Sequence, residues 1–305
     1  MTDVPSSPVS KWTHCSSQDS NNERFRTPFY SQTHSNIFVK ALTIVERVVK
    51  FDTLGTTFIP RIFEAKDWAD LFGNFGDPID ELVKEFYSNA RYTSVELKCW
   101  VKGIEFSINP EYIAKVFHIT RPANVDLTPY DDRLLQVQDV LEVLRPDHEV
   151  RSKGSSIGTA QFTPELMTLN LIMFSNLYPL SNIAFINLGR AKFLCDLITG
   201  VSIDICAHIF QTIGKTAARS ATQTCIPFCS LIMKIMLLEV VRPPTDGKIM
   251  PHPRPISMIT SKQASVTPLK HLRVNNSPMP LHLVMIQLHQ CILTPFLPSL
   301  LSTDD

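Results

Sequence analysis

Residues 162–241 constrain the fold most, because they combine the longest apolar runs of the chain with only nine charged side chains. Apolar residues recur three or four positions apart, as at Leu166, Leu169 and Met173, which is the period of a helix. Leu171 widens the apolar surface, so we expect burial on more than one side of this helix. The region therefore predicts a compact bundle of about four helices.

Local start and stop signals place these helices. Thr163 is a good N-cap for the first helix, Gly200 is a natural stop for the second, and Ser202 can cap the third. Gly214 is the predicted end of the third helix, and Pro227 opens the fourth. The predicted helices cover residues 163–178, 187–199, 202–214 and 227–241.

A membrane-spanning alternative is disfavoured by polar residues inside the apolar runs. A span needs about 20 mostly apolar residues, whereas Asn170 lies within the first predicted helix and Lys234 within the fourth. Residues 1–35 are polar and lack the apolar core of a signal peptide. We therefore expect no membrane contact and an intracellular protein, in the nucleus or the cytoplasm, with its seven cysteines reduced and mostly buried.

The first half predicts further helices. Apolar spacing indicates one over residues 36–50 and a short one over 67–72. Asp77 followed by Pro78 gives the clearest helix start, with acidic residues in the first turn. Helical spacing of apolar residues predicts two more helices, one from Asn109 onward and one over residues 131–144.

Residues 95–108 change from a helical period to strict alternation, which predicts a β-hairpin. If Lys102 and Gly103 form a two-residue turn, Val101 faces Ile104, Cys99 faces Phe106 and Leu97 faces Ile108. All three apolar pairs then share one face, which must pack on helices because a lone hairpin is marginal.

The predicted fold class is therefore mainly α, a helical bundle with one small β-hairpin in the N-terminal half. Residues 1–34 are rich in Ser, Pro, Thr, Asn and Gln and are predicted to be disordered. Residues 35–150 form a helical subdomain with the hairpin, 151–161 a linker and 162–241 the bundle. Residues 242–305 form a Pro-rich tail that is predicted to be disordered.

The cysteines and histidines that could form a chemical site also fit ordinary structural roles. Cys206, His208, Cys225 and Cys229 lack the spacing of a structural zinc site, and His289-Gln290-Cys291 does not supply one. His118 and His208 lie in apolar helices, and the chain has no nucleophile elbow, P-loop or dinucleotide fingerprint.

A transposase or integrase needs about three carboxylates around two metal ions. The bundle offers only four: Glu165, Asp196, Asp204 and Glu239. The acids of the first half fit helix caps or solvated faces: Asp77, Asp80, Glu81, Asp131 and Asp132. We therefore predict a non-enzymatic protein with no catalytic, metal-binding or cofactor-binding residues and no cofactor.

Charge gives weak support for nucleic-acid binding. Residues 51–150 carry 18 acidic and 10 basic side chains, which disfavours binding of a phosphate backbone by that half. The basic residues near the fourth helix are Lys215, Arg219, Lys234 and Arg242, a set that also fits a solvated face.

The order of several motifs resembles a known family. Trp68 is followed by Leu-Val-Lys-Glu-Phe-Tyr-Ser-Asn over residues 82–89 and by Trp-Val-Lys-Gly-Ile-Glu-Phe-Ser over 100–107. Asn-Leu-Tyr-Pro over 176–179, Leu-Gly-Arg-Ala over 188–191 and Leu-Ile-Thr-Gly-Val-Ser-Ile-Asp over 197–204 precede the helix led by Pro227. Over about residues 60–241 the chain resembles the putative plant transposon protein domain. The resemblance implies a mobile-element-derived plant protein and transfers no active site.

The sequence thus favours an interaction or assembly module that binds a protein partner or a second copy of itself. The wide apolar faces of helices 163–178 and 227–241 would supply the contact. A nucleic-acid-binding remnant of a transposition protein is the alternative, and an active or inactive transposase is a third hypothesis.

Overall fold

The computed structural model describes residues 24–73, 75–123, 125, 130, 138–144, 152–153, 156–179, 185–218 and 225–258. About half of these residues lie in helices, and their strands form three small sheets. The predicted helical character is confirmed, whereas the sheet content exceeds the single hairpin that the sequence indicated.

The first half contains five helices and four short strands among its described residues. The helices are α1 (Pro28–Asn36), α2 (Ile59–Glu64), α3 (Asp80–Asn89), α4 (Pro110–Val116) and α5 (Gln138–Leu144). The strands are β1 (Leu42–Thr43), β2 (Arg91–Tyr92), β3 (Leu97–Val101) and β4 (Ile104–Ile108). Short 3₁₀ turns lie at Phe38–Lys40, Phe51–Leu54 and Ala69–Phe72.

The second half carries the apolar helices. Its helices are α6 (Pro164–Ile172), α7 (Leu188–Thr199), α8 (Ile205–Ala217) and α9 (Cys229–Leu238), and a π-helical turn at Met173–Leu177 continues α6. Its strands are β5 (Ser152–Lys153), β6 (Ser156–Gly158), β7 (Phe185–Asn187) and β8 (Cys225–Ile226), with a 3₁₀ turn at Thr159–Gln161. Among the described residues, none of the helices is both long and apolar enough to cross a membrane.

The predicted hairpin is confirmed in its register. Strands β3 and β4 pair antiparallel with Val101 opposite Ile104, Cys99 opposite Phe106 and Leu97 opposite Ile108. Lys102 and Gly103 both have positive φ angles, 49° and 79°, as a type I′ turn requires. The buried Glu85 carboxylate accepts a 2.7 Å hydrogen bond from the Lys102 amide, which explains how a lysine holds this position.

Of the five start and stop signals predicted for the bundle, those at Thr163 and Gly200 are confirmed, and those at Ser202, Gly214 and Pro227 are wrong. The Thr163 side chain accepts a hydrogen bond from the Leu166 amide at the start of α6, and Gly200 ends α7 with a φ of 77°. The third helix differs at both ends. Asp204, rather than Ser202, caps α8 through the Ala207 amide.

Gly214 does not end α8, which continues to Ala217. A Cβ built on Gly214 would overlap the ring of Tyr92, so the glycine lets β2 approach the helix closely. Tyr92 also packs against Phe210 of the same helix, with ring centroids 5.4 Å apart. The glycine that the sequence indicated as a stop therefore serves packing.

The helix predicted over residues 36–50 is wrong. Strand β1 pairs in parallel with β8, so that Leu42 faces Cys225, and Val49 forms an isolated parallel bridge with Ile256. The stretch includes β-branched residues that favour extended backbone, and its hydrogen-bond partners come from the far end of the chain. Lys50 donates its amide to the Ile256 carbonyl at 2.9 Å.

The extended stretch also caps α9. Helix α9 begins at Cys229, not at Pro227, and Phe228 at the N-cap is left-handed with a φ of 56° and gives no side-chain cap. The carboxylate of Glu46 supplies that cap. It accepts hydrogen bonds from the amides of Ser230 at 2.8 Å and Leu231 at 2.9 Å.

The predicted subdomain division stays a prediction, but several of its segments differ from the structure. Helix α1 begins inside the stretch predicted to be disordered, and α3 begins at Asp80 rather than at Asp77 because the Pro78 carbonyl accepts the Met250 amide at 2.8 Å. Strand β6, within the predicted linker, pairs with β7. Residues 242–258 of the predicted disordered tail pack on the core, and Ile256 is fully buried. The predictions for residues 1–23, 131–137 and 259–305 concern residues outside the described ones.

Candidate functional site

The four carboxylates of the bundle do not converge on one site. Asp204 caps α8 and receives Arg121, and Asp196 contacts Lys192 and the hydroxyl of Tyr130. Glu239 accepts a hydrogen bond from the Tyr112 hydroxyl. Glu165 lies in the first turn of α6, where burial raises its pKa. Each acid thus has a separate structural environment, unlike the shared metal site of a polynucleotidyl transferase.

A cleft of about 400 Å³ lies between the two halves of the chain. It is lined by Ala65, Lys66, Asp67, Trp68, Thr120, Arg121, Pro122, Gly200, Ser202 and Ile203. Both of its cations are engaged. Lys66 donates to the Val201 carbonyl at 2.8 Å, and the guanidinium of Arg121 donates to the Asp204 carboxylate at 2.6 to 3.3 Å. These contacts join the two halves and leave little cationic capacity for an anionic ligand.

The thiols and the histidine of the bundle occupy apolar surroundings. Burial raises the pKa of Cys206 to about 12 and that of Cys229 well above its ordinary value, so neither thiol ionises readily. His208 lies among Tyr178, Phe193 and Tyr130, with ring centroids 4.4, 4.9 and 6.2 Å away. Among the described residues no group of three or more His, Cys, Asp or Glu side chains could hold a metal ion.

The basic residues near α9 do not act as one set. The ammonium group of Lys234 lies 4.5 Å from the ring centroid of Phe117 and 5.2 Å from that of Phe75. This half-buried cation therefore stabilises packing through cation–π contacts. Lys215 and Arg242 are exposed, and Arg219 lies outside the described residues.

Most of the apolar surface of α6 and α9 is buried in the core. On α6 the apolar residues from Leu166 onward are buried, apart from the partly buried Met167. Helix α9 is buried along most of its length but exposes its C-terminal end. Leu237 is 46% exposed, Leu238 55% and Val240 65%. We call these three residues the α9 terminal patch.

The backbone holds Val240 in an unfavourable conformation. Its φ is 63°, in the left-handed region that costs a non-glycine residue about 1–2 kcal/mol. The Val241 amide donates to the Met236 carbonyl and the Val240 amide to the Leu237 carbonyl, which is the Schellman arrangement that usually carries glycine. The chain thus keeps an exposed valine where glycine would be less strained.

The sequence predicted wide apolar faces along both helices as the contact surface, whereas the exposed apolar residues lie at the end of α9. The sequence signal for this exposed end is the run of four apolar residues over 235–238, followed by Glu239, two valines and no glycine. Glu46 was missed as well, because nothing near it in sequence indicates that it caps a helix.

Comparisons with known proteins give one match. The pattern of the family described as "Putative plant retrotransposon-related domain" matches residues 64–242, more than half of the chain. Searches of curated proteins and of solved structures found no match. Glu46, Val49 and Ile256 lie outside the matched residues yet are buried in the same core, so the folded unit extends beyond the match on both sides.

Proposed function

The chain belongs to the putative plant retrotransposon-related domain family, and from this premise we propose that it is a non-enzymatic association module of a mobile-element-derived plant protein. Its partner is a second copy of the same chain, and the contact is centred on the α9 terminal patch. The observation that carries the proposal is the exposure of Leu237, Leu238 and Val240 at the end of an otherwise buried helix.

Strain and charge both support this reading. A left-handed valine is costly, and strained residues cluster at functional sites. The formal net charge of the chain is +0 at pH 7, so two copies meet without long-range repulsion.

The size of the patch predicts weak association. Its three side chains expose roughly 300 Å², against about 800 Å² per partner in a standard interface. At about 25 cal/mol per Å², two such patches gain about 15 kcal/mol, which exceeds a cost of about 9 kcal/mol, within the range of about 4–15 kcal/mol, for bringing two molecules together. The dimer should therefore form at tens to hundreds of micromolar, on the order of 5 to 6 kcal/mol of binding free energy.

Sedimentation velocity of the full chain tests the proposal. The weight-average sedimentation coefficient should rise between about 1 µM and about 1 mM. Leu238→Lys should abolish the rise, because a lysine in the interface would be desolvated without a partner. Val95→Lys is the matched control, since Val95 is 73% exposed in the turn between β2 and β3, away from the patch in sequence.

Two results would contradict the proposal: a wild-type chain that remains monomeric over this range, or a Leu238→Lys chain that associates as the control does. The full chain is needed because a fragment of residues 60–241 would lack Glu46 and the strand that pairs with β8.

Nucleic-acid binding is the weaker alternative. Of the four basic residues considered, Lys234 packs on aromatic rings, which leaves the exposed Lys215 and Arg242 as described candidates. Retention on DNA that falls steeply with salt, and that weakens in a Lys215→Ala and Arg242→Ala chain, would favour this alternative.

A further inference from the structure

Residues 24–36 lie on α3 and the β3–β4 hairpin without fully burying any side chain. None of these thirteen residues is buried, and α1 has no buried residue at all. Hydrophobic burial therefore contributes little to this contact. The segment must be held by directed polar interactions, and three sets of them involve residues 24–26.

The first interaction binds an arginine side chain. The Arg24 Nε atom donates to the Glu85 Oε2 atom at 3.1 Å, and the Glu85 side chain is only 2% exposed. The other oxygen of Glu85 accepts the Lys102 amide from the hairpin turn. The hairpin thus fixes a buried carboxylate in the orientation that receives the guanidinium.

The second interaction holds main chain irrespective of side chain. The Asn89 Nδ2 atom donates to the Arg24 carbonyl at 3.0 Å, and the Arg26 amide donates to Asn89 Oδ1 at 3.4 Å. Asn89 is 3% exposed and its Nδ2 atom also donates to the Glu85 carbonyl at 3.2 Å, so its amide is oriented by α3. A side-chain amide that bonds the carbonyl before one residue and the amide after it holds the backbone whatever the side chain of that residue.

The third interaction reads a second arginine. The Arg26 Nη2 atom donates to the Glu105 Oε2 atom at 2.8 Å, and the guanidinium lies 5.5 Å from the Trp100 ring centroid. Phe25, between the two arginines, contacts Arg24 and His34 of its own segment. The surface therefore binds the side chains of the first and third residues, whereas the ring contacts of the middle one lie within its own segment.

We call Glu85, Asn89, Trp100 and Glu105 the arginine cradle. We propose that the arginine cradle is a docking site for peptides of the form Arg-x-Arg, and that residues 24–26 occupy it as an internal ligand that a partner's Arg-x-Arg segment displaces. The acidic balance of residues 51–150, with 18 acidic and 10 basic side chains, complements a basic ligand. The cradle shares no residue with the α9 terminal patch, so different variants test the two proposals.

The internal ligand is suited to exchange. Arg26 and Glu105 are each 44% exposed, so their ion pair contributes little stability. Tethering nevertheless gives residues 24–26 an effective concentration in the millimolar range, which a free peptide must overcome. A free peptide should therefore bind poorly to the wild-type chain and at least about tenfold better once the cradle is emptied.

Fluorescence anisotropy with a labelled peptide of residues 24–36 tests this. The emptied protein is the full chain with Arg24→Ala and Arg26→Ala, and its thermal unfolding by circular dichroism shows whether it is folded. The matched control is the full chain with Arg61→Ala and Arg91→Ala, two exposed arginines outside the cradle. The emptied chain should bind the peptide at least about tenfold more tightly than the wild-type and control chains do.

Two further arms test how the peptide is read. A peptide with both arginines replaced by lysine should bind the emptied chain about tenfold more weakly, because lysine lacks the planar fork that matches a carboxylate. Adding Glu105→Gln to the emptied chain should weaken binding of the arginine peptide. The proposal is overturned if the folded emptied chain binds no better than the wild-type chain, or if the lysine peptide binds as well as the arginine peptide.

Discussion

The buried cap of α9 leads to a prediction about stability. Glu46 is 5% exposed, and its two oxygens accept the amides of Ser230 and Leu231, each of which belongs to a residue that is 2% exposed. Phe228 at the N-cap offers no substitute acceptor. Glu46→Ala therefore leaves two buried amides without partners.

The expected cost follows from those two amides. A buried donor without a partner costs about 1–3 kcal/mol, so Glu46→Ala should lower the free energy of unfolding by about 3 kcal/mol or more. Glu46→Gln keeps one acceptor oxygen and turns an amino group toward the other amide, so it should cost about half as much. Glu64→Ala, at an exposed position in α2, should stay within about 0.5 kcal/mol of wild type.

Urea unfolding followed by tryptophan fluorescence and circular dichroism measures these differences. The midpoint should fall in the order Glu64→Ala, Glu46→Gln, Glu46→Ala, with an unchanged dependence on urea. A Glu46→Ala chain as stable as the Glu64→Ala chain would refute the assignment of Glu46 as the cap.

The ionisation of Glu46 adds a pH dependence with a defined sign. Burial raises the pKa of Glu46 above its ordinary value of 4.5, although the two amides oppose the shift. In the window from that value up to the raised pKa, the folded state binds a proton that the unfolded state has released. Stability therefore falls as the pH rises through this window. Gln cannot ionise, so the advantage of wild type over Glu46→Gln should shrink across the same window.

Four other changes have expected outcomes. Burial, and to a smaller extent the charge of Arg190, lowers the pKa of His208 to about 3. Below about pH 6.5 the unfolded state therefore binds a proton that the folded state does not. Urea unfolding should show that the unfolding free energy falls by about 2 kcal/mol at about pH 5, and His208→Gln should remove this fall. Asn170 is fully buried and its amide atoms have no hydrogen-bond partner among the described residues, so Asn170→Leu should raise the unfolding free energy by about 1–3 kcal/mol. Val240→Gly should raise it by about 1 kcal/mol, and sedimentation velocity should show weaker self-association. Gly214→Ala should lower the thermal midpoint, because the added methyl group must displace the Tyr92 ring at a cost of about 1–3 kcal/mol.

Features that depend on neighbouring residues were predictable. The hairpin followed from strict alternation around Lys102 and Gly103, and each predicted pair is present in β3 and β4. The starts at Thr163 and Asn109 likewise followed from side chains that reach amides three residues away. In these places the local pattern and the final contacts involve the same few residues.

Features that depend on distant residues were not predictable. The apolar spacing of residues 36–50 fits a helix, yet the stretch is extended because β8 and Ile256 supply its backbone partners. The start at Asp77 was displaced by a pairing of residues 78–80 with residues 248–250. Gly214 had the position of a helix stop, but the ring of Tyr92 determines why a glycine is there.

The same distinction holds for the candidate surfaces. Composition indicated that the bundle has more apolar surface than a core needs. Only the packing shows that the apolar residues of α6 are buried and that the end of α9 is exposed. The arginine cradle combines α3, the hairpin and residues 24–26, which are 61 residues from Glu85 at their nearest ion pair. No short sequence motif predicts a site whose residues lie so far apart in the chain.

The pairing of Glu46 with α9 has a consequence for synthesis on the ribosome. Its partner amide at Ser230 follows 184 residues later, and at about 5–20 residues per second this interval lasts about 10 to 40 seconds. Throughout that time the nascent chain exposes the Glu46 carboxylate without its partner amides. It also exposes the open edge of β1, with which neighbouring nascent chains can pair. Translation speed between these two points should therefore influence how much of the protein reaches its native state.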